Sequence, residues 1–363
     1  MHSTFEQEPG SRAPNGTSAM IEPSSNRDPH RPRFHFAAPQ GTWINDPVPF
    51  YDDRAGRYHV FLQHNPNAPV WGDMHWLHVS SSDLLHWENH GVALAPSRNP
   101  GDPDFGGVWT GCITRRPGDG KYIALYTAIP THTPFTQVQC SAVSDDLMTW
   151  EKLGVLDGLS EKPKGYGDCF RDPQTFAGPD GKWYCVIGGE QEGGNGGAAF
   201  LYQATDDTLL HWQYRHVLYE GTAETGYDFE CPDFFPLPGS QKWCLITSRN
   251  KTWWHVGTLD AETMRFSREA WGACDNELFY AAKSCVGAGG ERLLWGWIRE
   301  DRPEAEQVAA GWSGVLSLPR CITSGETVIA FRPHAPYPEE AFADGSVIEA
   351  VDTDRIETFR RYD

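Results

Sequence analysis

The chain has 363 residues, 39% of them hydrophobic and 22% charged, with 37 Gly, 27 Pro, 15 Trp and a formal charge of −19. This is the length of one large domain or two ordinary ones, with the balance of a globular protein, and its aromatic, Gly- and Pro-rich mix favours many short strands over helices. The acidic surface repels phosphate backbones and argues against nucleic acid as a partner, and no apolar stretch reaches the ~20 residues of a membrane span.

In chain order, residues 1–30 are polar and rich in Pro, Gly and Ser, and read as a disordered arm. They hold no apolar run of the kind a secretory signal needs. The expected location is therefore cytoplasmic for the sequence as written, or secreted if a signal had been removed. None of the nine Cys forms a Cys-x-x-Cys pair. That leaves buried free thiols, with room for a disulfide or two, in place of a zinc ribbon or redox motif. His75 and His78 lie three apart in the strand-like HWLHVS and would face opposite sides, so no metal site is expected there, and no cofactor is implied.

From residue 57 onward one hairpin recurs. A turn, a basic residue and an apolar strand appear at Arg57, Lys121, Lys182, Lys242 and Arg292, in steps of 64, 61, 60 and 50 residues. A second signal keeps the same beat: Asp-rich turns end in Trp87, Trp150 and Trp212, with a weaker copy ending in Phe266. Each unit then holds about four strands. Five units predict an all-β, five-bladed β-propeller, whose ring buries sheet faces between blades and hides most strand edges. The alternative, a β-sandwich with similar hairpins, does not explain the even spacing. The propeller is expected over 31–335, with ETVIAF closing the last blade and 336–363 as a linker or tail.

The first strand of each blade lies nearest the central channel. The five candidates are WINDPVPF, VWTGCITRR, FRDPQTFA, ECPDFFPL and YAAKSCVGA. Three carry an acid near the start, Asp46, Asp172 and Glu230, which precede their hairpin residues by 11, 10 and 12 positions. Three acids are thus predicted at one level of one channel. Like charges gathered there repel one another and raise pKa values, a cost that stability alone does not justify. Pro47 and Pro173 are expected to hold Asp46 and Asp172 in the extended region. Singly, each acid has a plain reading: a turn-former before Pro, or a solvated surface Glu. The Trp residues read as blade packing before sugar platforms.

The chemistry that needs this set is retaining glycoside hydrolysis, with one carboxylate as nucleophile and one carboxylic acid as proton donor about 5 Å away. A third acid would hold sugar hydroxyls near the cationic transition state.

At these residues the sequence resembles glycoside hydrolase family 32, the invertases, inulinases and levanases. WINDP (Trp43–Pro47), FRDP (Phe170–Pro173) and ECPDFF (Glu230–Phe235) resemble its three acid motifs. RPRFHF, FLQHNP with WGDMHW, VWTG, YAAKSC with LLWGWI, and WSGVLSLPR support the likeness in family order, from about Arg31 to Arg320. The resemblance implies an axial pocket in which Asp46 attacks the anomeric carbon, Glu230 is acid/base, and Asp172 beside Arg171 holds fructosyl hydroxyls. It also implies Asn45, Gln63, Trp71, Trp109 and Thr110 around the fructosyl group. The partner would be a small carbohydrate, sucrose or a fructan, and oligomeric state is left open.

The sequence departs from the family at Val48-Pro49, where Asn-Gly is usual, at Leu77 for Gly, and at Thr110 for Ser. The first departure is expected to change a turn below the nucleophile and reshape the pocket floor. The family's C-terminal β-sandwich is expected to be missing, since only about forty residues follow LSLPR. The readings kept are a β-fructofuranosidase acting on sucrose or fructo-oligosaccharides, an exo-acting inulinase or levanase, a fructosyltransferase, and a non-catalytic sugar-binding propeller. A related five-bladed pentosidase is disfavoured by FRDP and ECPDFF in this order.

Overall fold

The computed structural model describes residues 28, 31–32, 35–132, 136–324 and 329–334. The expected arm and tail lie outside these, apart from Asp28, which pairs with Arg302 at 3.3 Å.

Five antiparallel sheets follow one another along the chain. Blade I is β1 (Thr42–Asp52), β2 (Arg57–Asn65), β3 (His75–Ser81) and β4 (Glu88–Leu94). Blade II is β5 (Gly107–Arg115), β6 (Tyr122–Ile129), β7 (Val138–Ser144) and β8 (Glu151–Val155). Blade III is β9 (Tyr166–Ala177), β10 (Trp183–Gln191), β11 (Gly197–Ala204) and β12 (Trp212–Glu220). Blade IV is β13 (Glu230–Pro236), β14 (Trp243–Arg249), β15 (Lys251–Leu259) and β16 (Phe266–Ala273). Blade V begins with β17 (Phe279–Val286) and β18 (Arg292–Ile298), continues through helix α1 (Glu304–Ala310) and short β19 (Trp312–Ser313) and β20 (Val315–Leu316), and ends in β21 (Arg320–Thr323) and β22 (Ala330–Pro333). The fold is the all-β, five-bladed propeller that the spacing predicts.

The core follows the ring. Five apolar clusters each join two neighbouring blades; one packs Phe61 and Trp76 of blade I on Tyr126 of blade II, and another packs Val60 and Leu77 of blade I on Trp295 of blade V. The Asp-rich turns feed these clusters. Asp83 and Asp146 accept backbone N–H groups at 2.8–2.9 Å, which bends the chain. The bend forces Leu84, Leu147, Leu209 and Met264 into the left-handed region, at φ of 66°, 65°, 57° and 56°. Each of these side chains is buried between blades, so packing offsets the backbone strain.

The ring closes through β19 and β20. Trp312 and Ser313 pair in parallel with Thr42 and Trp43 of β1, while Val315 and Leu316 pair with β18. β22 forms the outer strand of blade V on β21. Val48 and Pro49 do not form a turn: they pair with Phe61 and Val60 inside β1, and Val48 packs between blades I and II, away from the pocket. The expected change of the pocket floor is therefore not seen. All nine cysteines are free thiols. Among the described residues no helix is long and apolar enough to cross a membrane.

Candidate active site

The first strand of every blade carries a β-bulge. The ladder slips at 45–46 in β1, 109–110 in β5, 172–173 in β9, 231–232 in β13 and 281–282 in β17, where two residues oppose one. A bulge re-aims side chains and is favoured next to active sites. Here five bulges at one phase turn the inner strands toward a single pocket of about 470 Å³.

All three predicted acids line this pocket, together with Asn45, Gln63 and Arg171. Trp71 and Trp109 form one wall, edge to face at 5.9 Å, and Trp71 is 56% exposed. Thr110 is fully buried behind the wall and touches Asp46. The acids do not share one place relative to the bulge. Glu230 is the residue before its bulge, Asp172 the first residue within its own, and Asp46 the second within its own. Arg171 and Tyr280 occupy the same bulge-relative position as Glu230.

Asp46 is gripped from three blades. Asn45 Nδ2 donates to it at 3.0 Å, Gln63 Nε2 at 3.2 Å, Thr110 Oγ1 at 2.7 Å and Cys231 Sγ at 3.4 Å. Burial, then the neighbouring Asp172, push its carboxyl up to about 7, against the pull of the Thr110 hydrogen bond. Cys231 links two of the acids, since its backbone N–H also donates to Asp172 at 2.8 Å.

Asp172 is not extended. Its φ is +66°, despite Pro173, and its own N–H donates to Thr127 Oγ1 at 2.8 Å. The tertiary bond outweighs the preference of a residue before proline, and the strained backbone fixes where the carboxylate points. Burial raises its pKa, against the attraction of Arg171.

Glu230 accepts hydrogen bonds from Arg171 Nη2 at 2.5 Å, from Arg249 Nη1 at 3.0 Å and from the Tyr280 hydroxyl. Arg249, Tyr280, Cys231 and Asp228 were not singled out in the sequence. Tyr280 stands at the start of the first-strand segment YAAKSCVGA and could have been found there; Arg249 and Asp228 stand outside any repeated motif. Below the acids, Lys283 of blade V is buried and its Nζ donates to Gln174 of blade III at 3.0 Å, across the channel. His75 and His78 part as expected: His75 bonds the Asp73 carbonyl, and His78 the ring of His59.

Fold and pocket together define a five-bladed propeller with an acid-rich axial site. Residues 35–333 match the family model for the glycosyl hydrolases family 32 N-terminal domain, and the chain belongs to that family. Sucrose-6-phosphate hydrolase of Escherichia coli is 32% identical over 330 residues, covering 83% of this chain and 64% of that protein. Fructan 1-exohydrolase of Leymus chinensis is 34% identical over 337 residues, covering 83% and 53%. The crystal structure of fructan 1-exohydrolase IIa from Cichorium intybus superposes with a TM-score of 0.74 at 29% identity, covering 89% of this chain and 63% of that one. A family 32 β-fructofuranosidase from Bombyx mori, solved as a mutant in complex with sucrose, gives 0.71 at 31%, covering 84% and 65%. The chain thus spans 53–64% of the length of the two curated relatives named here.

Proposed function

We propose that this chain is a retaining β-fructofuranosidase that hydrolyses terminal β-D-fructofuranosyl bonds of sucrose or fructo-oligosaccharides. The observation that carries the reading is the meeting of Asp46, Asp172 and Glu230, from three blades, around one sugar-sized pocket. The named activities of the relatives, on sucrose, its phosphate or fructans, support the same class of bond.

In this reading Asp46 attacks the anomeric carbon of the fructosyl unit, while Glu230 gives its proton to the departing glycosidic oxygen. The donors around Asp46 hold its carboxylate in one orientation, which limits the entropy lost on reaching the transition state. Asp172 accepts hydrogen bonds from fructosyl hydroxyls and its charge favours the oxocarbenium-like transition state. Glu230, now ionised, takes a proton from water, and the hydroxide attacks the same carbon to release fructose and restore Asp46. Trp71 and Trp109 offer an apolar wall for the ring faces of the leaving sugar.

Incubation with sucrose, inulin and levan tests this, with free fructose, free glucose and longer products followed over time. Fructose rising in step with glucose from sucrose is the expected result. Glucose in excess with new oligosaccharides would assign transfer in place of hydrolysis. No turnover of any of the three would leave a sugar-binding propeller.

A further inference from the structure

The acid/base assigned to Glu230 sits in a surrounding that opposes its task. A proton donor must stay neutral until it reacts, yet two guanidinium groups lie within hydrogen-bond reach of this carboxyl. An opposite charge at such range lowers a carboxyl pKa by roughly 1–3 units. What offsets them is Asp228, two residues upstream. Its side chain is 4% exposed and contacts the same two arginines, Arg171 Nη2 on Oδ2 at 3.0 Å and Arg249 Nε on Oδ1 at 3.0 Å. Each arginine therefore bridges both carboxylates, and the quartet with both acids ionised is neutral. Arg249 is also seated over the Tyr227 ring at 4.0 Å, which keeps its fork aimed inward.

We propose that Asp228 is a positioning residue for the acid/base: by sharing Arg171 and Arg249 it cancels their charge at Glu230 and lets that carboxyl hold a proton. The inference rests on the reading of Glu230 as acid/base. The other groups facing Glu230 are Tyr280 of β17, which donates to it, its neighbour Cys231, the Cys169 thiol, which burial keeps neutral, and Asp46 and Asp172, which act on it by charge. Cys169 also touches Asp228, and the amide oxygen of Asp228→Asn can still accept from its thiol. Burial pushes Asp228 itself up to about 6, against the attraction of Arg171, so its charge builds up as pH rises through that value.

The test is Asp228→Asn, read in two ways. The first is the titration of Glu230 by carboxyl ¹³C NMR, assigned by the loss of its signal in Glu230→Gln. This readout needs no turnover. Glu230 is expected to titrate roughly one pH unit lower in the variant, and Asp228→Asn/Arg249→Gln, which removes one charge of each sign, is expected to bring it back. The second is the pH profile of kcat/KM. Its basic limb should move down by the same amount on sucrose. Activity on an aryl β-fructofuranoside, whose leaving group departs without a proton, should fall much less.

An unchanged Glu230 titration in Asp228→Asn would overturn the proposal, as would equal losses on both substrates with no shift in the limb. Should Asp228→Asn fail to fold, Arg249→Gln alone decides: the proposal requires Glu230 to titrate higher, and a fixed value refutes it. Absence of turnover by the unaltered protein would instead count against the proposed activity, with the titration still deciding the role of Asp228.

Discussion

Thr110 Oγ1 donates to Asp46 Oδ2 at 2.7 Å, joining two blades through residues 64 apart in sequence. Thr110 also accepts from Gln63, so its hydroxyl proton is committed to Asp46. A hydrogen bond to a charged group is worth about 1.5–3 kcal/mol. Thr110→Val should therefore lower kcat/KM on sucrose roughly 10- to 100-fold, with Thr110→Ser close to the unaltered protein. Equal loss in both variants would assign the effect to packing.

Asp46→Asn should abolish turnover, a loss of at least about 10⁴-fold, and at the same time stabilise the fold at neutral pH. The sign follows from its raised pKa of about 7. Between about pH 4 and 7 the folded chain keeps a proton that the unfolded chain has released. Asp46 therefore subtracts stability as pH rises through that window, and subtracts it in full above 7. The amide carries no charge, so the variant should gain roughly 1–2 kcal/mol, seen as about 1.5–3 °C in thermal midpoint at pH 8. The gain should vanish near pH 4; a midpoint unchanged at pH 8 would contradict the strained-charge account.

Much of this is legible in the residues because the signals are local. The Asp-rich turns are made by side chain-to-backbone bonds within three residues, as at Asp83 and Asp146, so their chemistry repeats wherever the letters repeat. The inner strands and their acids follow from the same phase. What could not be read is tertiary. The left-handed Asp172 is held by Thr127, 45 residues away, against the rule for a residue before proline. The bulges leave no motif, so the three acids looked equivalent when each takes a different place relative to its bulge. Val48-Pro49 looked like a turn because its strand context could not be seen. Arg249, at the end of β14, and Asp228, just before β13, become partners only through the pairing of those two strands.

Buried histidines predict acid lability. Burial lowers His59 and His64 to about 4 and His35 and His255 to about 3, and drives His78 well down. These rings stay neutral in the fold while the unfolded chain takes up protons below about 6.5. Their contribution is intact above that pH and is lost as pH falls toward 4. Asp46, Asp172 and Asp228 act in the opposite sense but are fewer. Thermal midpoints measured from pH 7.5 to 5 should fall with pH, and a midpoint that rises across that range would show the acids dominate.

Ring closure depends on one glycine. Gly314 sits between β19 and β20 at φ +92°, and its carbonyl accepts the Ala38 N–H at 3.0 Å. A Cβ there would lie 1.9 Å from the Ile44 carbonyl oxygen, which is backbone and has no rotamer to retreat to. Ile44 is the residue just before the Asn45–Asp46 bulge, so any shift that relieves the clash moves the strand that carries Asp46. Gly314→Ala should thus cost stability, roughly 2–4 kcal/mol from strain and lost pairing. It should also lower kcat more than a stability loss of that size explains, because Asp46 is displaced in the molecules that remain folded. The check is kcat at a temperature well below the variant's midpoint. Full activity there would mean that β1 is anchored by its ladder to β2 alone, independently of the clasp.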